Sequence, residues 1–156
     1  MRFNPDGLNK TERRNPRIIV SLTSYPARIN MVPYAIASLL NQTMKPDKII
    51  LWLGEEQFPG EKLPAIFERV KKSGVEVNFR ADLRAHKKYF YAVKEYPEDI
   101  IITFDDDIIY DDNLIETLYS SYVRHPECVS AMRVHRINFD ADGSIASYSD
   151  WDMESG

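Results

Sequence analysis

Short apolar runs alternate along this chain with segments in which apolar residues recur at helical spacing. The predicted strands are Arg17–Leu22, Lys48–Leu53, Val75–Phe79 and Ile100–Phe104. Most of these runs lack polar alternation, which is typical of strands buried on both faces. The predicted helices are Val32–Gln42, Leu63–Ser73, Lys87–Tyr96 and Asn113–Arg124. Helices between consecutive strands imply right-handed crossovers, so we predict an α/β fold with a mainly parallel sheet flanked by helices.

The C-terminal segment departs from this alternation. Met132–Phe139 and Ser144–Tyr148 are predicted as two further strands, joined by a turn whose Asp142-Gly143 pair accommodates positive φ. The sequence contains no internal repeat or low-complexity tract. We therefore expect a polar extension over residues 1–16, followed by a single domain over residues 17–156.

Composition excludes several classes of protein. Of the 156 residues, 44% are hydrophobic and 28% are charged, as in globular domains. A net charge of −4 gives no reason to expect a nucleic acid as a partner. The apolar runs are far shorter than the roughly 20 residues of a membrane span, and residues 1–16 have no apolar signal core. We expect a cytoplasmic protein without a membrane span.

Polar residues directly follow each predicted strand. Ligands of open parallel sheets bind in the crevice beyond the carboxyl ends of the strands, so these residues are the first candidates for a site. They fall in residues 23–28, 55–57, 80–88 and 105–107. Among them, Tyr25 can stack on a base or sugar, and Arg28 can pair bidentately with phosphate.

Asp105, Asp106 and Asp107 follow the most strand-like run of the chain. Adjacent carboxylates at a strand end repel one another and gain nothing from packing. Mg²⁺ or Mn²⁺ would relieve that repulsion, because both ions prefer oxygen ligands and share them with substrate phosphates. Asp105 and Asp107 lie on the same side of an extended chain, which suits a shared ligand.

Other chemistry-bearing residues have simpler explanations. Asp111 and Asp112 suit the cap of the following helix, and Asp140 and Asp142 suit the turn between the last two strands. Cys128 has no activating base beside it, and we expect it to be buried. The chain has no dinucleotide-binding glycine motif, P-loop or nucleophile elbow.

These segments resemble the nucleotide-diphospho-sugar glycosyltransferases of the GT-A fold, especially the family 2-like enzymes. The resemblance covers about residues 17–139 and rests on IIVSLTSYPARI, AIASLLNQT, KIILWL and IIITFDDDIIYDDNL, followed by His125-Pro126-Glu127. It implies a Rossmann-like GT-A fold and an enzyme that moves a sugar from a nucleotide diphosphate to an acceptor hydroxyl. The implied cofactor is Mn²⁺ or Mg²⁺, held by a DXD-like motif.

The resemblance also implies roles for individual residues. Residues after the first three strands would contact the nucleobase or ribose, two lysines would approach the diphosphate, and the acidic triplet would contact the ribose and the metal. The donor-binding residues would be Thr23, Tyr25, Arg28, Glu55, Asp82, Lys87, Lys88, Asp105 and Asp106. Asp107 would be the metal ligand, with Asp105 as a second one.

The expected partners are a UDP- or GDP-linked sugar and a saccharide or another hydroxyl acceptor. In the family, the base that deprotonates the acceptor usually comes from the segment after the DXD region. Asp150, Asp152 and Glu154, around Trp151, are the candidates here, and we expect Asp150 and Asp152 to be catalytic. Little sequence follows the acidic region, so we expect the acceptor half to be missing or supplied by a partner.

Other functions fit parts of this pattern. A nucleotide-sugar binding module without transfer activity would share the donor site and lack only the base. A structural α/β domain is possible but leaves the acidic triplet unexplained. Phosphoryl-transfer domains of the receiver or phosphatase kind also gather aspartates at strand ends, but they need an Asp after the first strand, where this chain has Thr23 and Ser24.

Overall fold

The computed structural model of the protein describes residues 2–11 and 13–153. Glu154, the third candidate base, lies outside the described residues. The strands are β1 (Ile18–Thr23), β2 (Lys48–Gly54), β3 (Glu76–Arg80), β4 (Ile100–Phe104), β5 (His135–Arg136) and β6 (Asp152–Met153). The α-helices are α1 (Val32–Leu39), α2 (Ile66–Lys72), α3 (Lys87–Glu95) and α4 (Leu114–Arg124).

The central sheet has four parallel strands in the order β3-β2-β1-β4. This arrangement confirms the predicted α/β fold with a Rossmann-like parallel sheet. β1 lies between β2 and β4, and its residues from Ile18 to Leu22 are all buried. The register pairs Thr23 with Trp52 and Leu22 with Phe104, so that β1, β2 and β4 end at one edge of the sheet.

Helix α1 is shorter than the sequence pattern predicts, and Gln42 lies beyond its end, where it bonds to a distant part of the chain. Its carboxamide donates to the carbonyl oxygen of Asp111 (2.6 Å) and accepts from the backbone N–H of Ile115 (2.9 Å). The N–H groups of the first helical turn have no partner within the helix, so Gln42 satisfies one of these donors in α4. The predicted end at Gln42 is therefore wrong, and α1 ends at Leu39.

The chain forms two compact units, residues 1–116 and residues 117–156. In the second unit, the two long strands predicted over Met132–Phe139 and Ser144–Tyr148 are wrong. A single antiparallel bridge joins Phe139 to Ile145, while the two-residue strands β5 and β6 pair with each other. The large apolar side chains of the predicted strands, including Met132, remain exposed and only Ala146 is buried, so burial does not stabilise longer strands.

The predicted turn between these segments is present. The N–H of Gly143 donates to the carbonyl oxygen of Asp140 (2.9 Å), and Gly143 has a φ of 83°. Ser144 donates its hydroxyl to the Asp142 carboxylate (2.6 Å), which lowers the pKa of Asp142. No helix in the described part of the chain is both long and apolar enough to span a membrane.

Candidate functional site

A cavity of about 530 Å³ opens at the carboxyl ends of the parallel strands. All of its lining residues belong to the first unit. They come from the end of β1 and the segment after it, the segments that follow β2 and β3, the start of α3, and the end of β4 with the residues just after it. They are Thr23, Ser24, Tyr25, Arg28, Gln57, Asp82, Arg84, Ala85, Lys87, Lys88, Phe104, Asp105 and Asp106.

Asp106 is the buried member of the acidic triplet. Its side chain is 8% exposed; one oxygen accepts from the Ser24 hydroxyl (2.5 Å) and the other from the Arg28 guanidinium (3.2 Å). Burial of a carboxylate requires such compensation. Asp106 therefore holds the turn after β4 against the loop after β1.

Arg28 bridges two carboxylates of the triplet. Its Nη1 atom lies 3.2 Å from Asp106 Oδ1 and 2.7 Å from Asp107 Oδ2. The hydrogen bond to Asp106, followed by the charge of Asp107, raises the pKa of Arg28 above its already high ordinary value. A cation therefore already lies between these two carboxylates in the protein alone.

Lys88 neutralises the remaining carboxylate of the triplet, since its ammonium lies 2.6 Å from Asp105 Oδ1. The backbone of Lys88 is fixed from the core of the sheet. Its carbonyl oxygen accepts a hydrogen bond from the buried Ser21 hydroxyl on β1, which in turn accepts one from the Trp52 indole (2.9 Å). The first turn of α3 is thereby attached to the two central strands.

The cavity lining contains a further ion pair, between Lys87 and Asp82. Both Asp82 oxygens are engaged: Oδ1 accepts from Lys87 and from the Arg84 N–H (2.9 Å), and Oδ2 accepts from the Gln57 carboxamide (2.8 Å). The hydrogen bond from Lys87 is the main cause of the lowered pKa of Asp82. Arg84 adopts a φ of 52°, which is strained for a residue other than glycine.

Gly54 allows this side of the cavity to close tightly. A Cβ atom at this position would lie 3.0 Å from the Asp82 Cβ and 3.2 Å from the Gln57 Oε1. Gln57 Oε1 is buried and has no hydrogen-bond partner among the described residues. The end of β2 therefore requires glycine for close packing against the β3–α3 connection.

Tyr110 hydrogen-bonds to the backbone of the acidic turn, by which we mean residues 105–107. Its hydroxyl accepts from the backbone N–H of Asp105 (2.7 Å) and donates to the carbonyl oxygen of the same residue (3.3 Å). Its ring packs edge-on against Phe104, with the centroids 4.7 Å apart. Burial raises the pKa of Tyr110 to about 12, so the hydroxyl stays protonated at neutral pH.

The chemistry of the acidic turn fits a metal ion that also has ligands from a substrate. Asp105 and Asp107 have side chains that are 57% and 33% exposed, whereas Asp106 is buried and engaged. The described residues include no group of three or more acidic, histidine or cysteine side chains that could hold a metal ion. Mg²⁺ commonly uses one or two carboxylates and completes its coordination with water and phosphate oxygens, and Asp105 and Asp107 have carboxylates of this kind.

The structure brings most of the predicted donor-binding residues to this cavity. Those that line it are Thr23, Tyr25, Arg28, Asp82, Lys87, Lys88, Asp105 and Asp106. Glu55 is exposed in a short 3₁₀ helix and does not line the cavity. Asp107 does not line it either, but contacts Arg28, which does. The Thr23 hydroxyl donates to the Trp52 carbonyl oxygen (2.7 Å), so that it serves the sheet.

Two residues that shape the site, Ser21 and Tyr110, were not singled out from the sequence. Ser24, Gln57 and Arg84 all fall within the segments that follow strands, so the rule that located those segments includes them. Ser21 and Tyr110 lie outside these segments. Their roles depend on contacts with Lys88 and Asp105.

The predicted catalytic residues, Asp150 and Asp152, belong to the second unit and are exposed. Asn138 donates to the Asp152 carboxylate (3.2 Å) and to the Asp150 carbonyl oxygen (2.7 Å). Their catalytic role stays a prediction. Cys128 is exposed, so the expectation that it is buried is wrong.

A larger cavity of about 700 Å³ lies next to the N-terminal segment. It is lined mainly by residues 6–11 and 43–45 together with Arg14 and Glu116. Lys10 pairs with Asp6 (3.2 Å) and Arg14 with Asp47 (3.0 Å), so these charges stabilise the N-terminal segment. The smaller cavity is the better candidate, because it gathers ionisable groups from three strand ends, with Gln57 from the fourth.

A comparison with models of known protein families gave no match, and a comparison with curated proteins gave none either. The geometry of the cavity is therefore the basis for assigning a function.

Proposed function

We propose that the protein is a glycosyltransferase that binds a nucleoside diphosphate sugar in the 530 Å³ cavity. The observation that carries the proposal is the arrangement of Arg28 and Lys88 on either side of the acidic turn at the carboxyl end of β4. A diphosphate and a divalent cation have complementary charges to these two sets of groups. Cavities at this edge of a parallel sheet are the usual ligand sites of α/β folds.

Besides its charges, the cavity has an aromatic ring and a carboxylate that suit the base and the ribose of a nucleotide. Tyr25 is 43% exposed at the rim, with the Arg28 guanidinium 5.7 Å from its ring centroid, and so offers an aromatic face for a base or sugar. Asp105 offers a carboxylate that is largely exposed to a ribose hydroxyl. UDP- and GDP-linked sugars are the donors to test first.

In the proposed reaction the oxygen of the acceptor hydroxyl forms a bond to the anomeric carbon, and the bond from that carbon to the diphosphate oxygen breaks, so that negative charge develops on the departing diphosphate. Arg28, Lys88 and Arg84 would stabilise this charge through fixed positive groups in the cavity. Mn²⁺ or Mg²⁺ on Asp107 and Asp105, when bound, supplies Lewis-acid stabilisation of the same charge. Asp150 or Asp152 would accept the proton of the acceptor hydroxyl.

A second candidate function is a nucleotide-sugar binding module without transfer activity. One observation favours it: the three carboxylates that line the cavity, Asp82, Asp105 and Asp106, are all ion-paired. None of them is free to act as the general base. Donor binding is common to the two functions, and transfer separates them.

The donor site is tested by thermal unfolding with a panel of nucleoside diphosphates and their sugars, with and without Mn²⁺. A ligand that binds only the folded state raises the unfolding temperature by mass action. Asp107→Ala should abolish the Mn²⁺-dependent part of the shift, whereas Glu68→Ala, on an exposed position of α2, should leave it intact. An unchanged nucleotide affinity in Asp107→Ala with Mn²⁺ would reject the donor site as proposed.

The transfer step is tested by following donor consumption with saccharide acceptors. Asp150→Asn and Asp152→Asn should both retain donor binding. The variant in which the general base has been replaced should lose transfer. Donor binding without transfer or donor hydrolysis in the wild-type protein would favour the binding module. Equal transfer rates in both variants and the wild type would reject these two residues as bases.

A further inference from the structure

Each carboxylate of the acidic turn already has a cationic partner within the protein, although the two cations leave one of the three negative charges in excess. Lys88 contacts Asp105, and Arg28 contacts both Asp106 and Asp107. A divalent cation that approaches Asp105 or Asp107 therefore meets a carboxylate that already has a cationic partner. It also meets the positive charge of that partner at close range.

These cationic partners are held in place by the fold. The Lys88 carbonyl oxygen is bonded to Ser21, which fixes the start of α3 beside β1. The Arg28 guanidinium is anchored by Asp106, whose carboxylate is buried and also bonded to Ser24. Neither cation can leave its carboxylate without losing a charge-assisted hydrogen bond, which is about twice as strong as a neutral one.

We infer that Lys88 and Arg28 suppress metal binding at the acidic turn until a nucleoside diphosphate supplies them with phosphate oxygens as alternative partners, a regulation that rests on the proposed function. A diphosphate in the cavity offers several anionic oxygens to these two side chains. Their transfer to phosphate frees oxygens of Asp105 and Asp107 for the cation. Metal and nucleotide affinities are thereby coupled, and the coupling must be reciprocal.

A metal ion that simply bridges the carboxylates and the phosphates would also bind better with nucleotide present. The two explanations differ in what they predict for Lys88 without nucleotide. If Lys88 only binds phosphate, Lys88→Gln leaves the metal affinity of the nucleotide-free protein unchanged. If Lys88 suppresses metal binding, the same substitution increases that affinity.

The test measures Mn²⁺ binding to the full chain from the electron paramagnetic resonance signal of the free ion. Mn²⁺ is titrated alone and in the presence of saturating UDP or GDP, and nucleotide binding is measured separately by calorimetry. The wild-type protein should bind Mn²⁺ at least tenfold more tightly with nucleotide. Lys88→Gln should bind Mn²⁺ at least threefold more tightly than wild type without nucleotide, and bind the nucleotide more weakly.

Lys94→Gln is the matched control, because Lys94 is an exposed lysine on the same helix and does not line the cavity. It should change neither affinity. Arg28→Gln provides a second variant with the same expected signs, and urea unfolding establishes that each variant is folded. A nucleotide-free Mn²⁺ affinity that is unchanged or weaker in Lys88→Gln overturns the inference.

The outcomes distinguish this inference from the proposed function. If the wild-type protein binds neither nucleotide with or without Mn²⁺, both fail. If it binds a nucleotide and Mn²⁺, but Lys88→Gln does not tighten Mn²⁺ binding in the absence of nucleotide, only the suppression by Lys88 fails.

Discussion

Lys87 and Asp82 form an ion pair in which the lysine is almost completely removed from water. The Lys87 side chain is 2% exposed and that of Asp82 is 21% exposed. Lys87 is the first residue of α3 and lines the cavity. Its buried side chain therefore lies where the helix begins. Burial of a charge is unfavourable without a partner. The pair therefore fixes the start of α3 against the segment that follows β3.

Lys87→Met should destabilise the protein by about 2–4 kcal/mol, because it leaves the Asp82 carboxylate without its cation. Met retains the apolar volume of the lysine chain. The double variant Asp82→Asn/Lys87→Met should recover part of this loss, since it removes the unpaired charge. Urea unfolding measures both, and Lys94→Met on the exposed face of α3 should stay within about 0.5 kcal/mol of wild type. A double variant less stable than Lys87→Met would contradict the importance of the pair.

Ser21→Ala should cost about 1–3 kcal/mol, because it leaves the buried indole N–H of Trp52 without an acceptor. Trp52→Phe removes the same donor together with some packing. In a double-mutant cycle, Ser21→Ala should cost less in the Trp52→Phe background than in the wild type, since the two residues share one hydrogen bond. Strictly additive free energies of unfolding would indicate that this bond contributes nothing.

The Arg17–Asp99 pair predicts a specific dependence of stability on pH. The hydrogen bond from Arg17 is the main cause of the lowered pKa of Asp99, whose ordinary value is 3.8. Protonation of Asp99 is therefore easier in the unfolded chain than in the folded one. Its contribution to stability is complete above about pH 4 and is lost as the pH falls through the folded-state pKa.

Asp99→Asn should consequently be less stable than wild type by about 1–2 kcal/mol at pH 7. The difference should shrink as the pH is lowered below about 4, where the wild-type carboxylate becomes protonated. Urea unfolding at a series of pH values measures the difference, and Glu98→Gln at the neighbouring exposed position is the control. A difference that stays constant down to pH 2.5 would show that the charge of Asp99 is not its source.

The sequence pattern predicted the ends of β1 and β2 to within one residue, because burial on both faces leaves a strong signal. β4 was predicted with the bounds that it has, since it is apolar apart from Thr103, although it is an edge strand. The end of α1 was missed: Gln42 lies beyond it and bonds to Asp111, 69 residues away. No local pattern carries that information.

The candidate site shows the same division. The rule that ligands bind at strand ends located the segments that contain Ser24, Lys88 and Asp106, because it depends only on topology. It could not show that Ser24 and Asp106, 82 residues apart, share a hydrogen bond. Such pairings depend on the register of β1 against β4, which a single sequence does not reveal.

In the second unit, local pattern predicted too much strand. Met132–Phe139 and Ser144–Tyr148 have residues that favour strands, but burial decides whether such residues form them. Val134, Phe139 and Ile145 stay exposed, and the pairing there is limited to a bridge and two short strands. The turn was predictable because Gly143 needs only its own backbone conformation.

Replacing Arg84 by glycine and by alanine should separate its effect on stability from its effect on nucleotide binding. Its positive φ is strained for any side chain with a Cβ, so Arg84→Gly should be more stable than Arg84→Ala by about 1 kcal/mol, the reverse of the usual order. Both variants lose the cation that lines the cavity and should bind UDP or GDP equally more weakly than wild type. Urea unfolding and calorimetry measure the two effects. Weakened binding in Arg84→Ala alone would mean that Arg84 acts through its backbone conformation rather than through its charge.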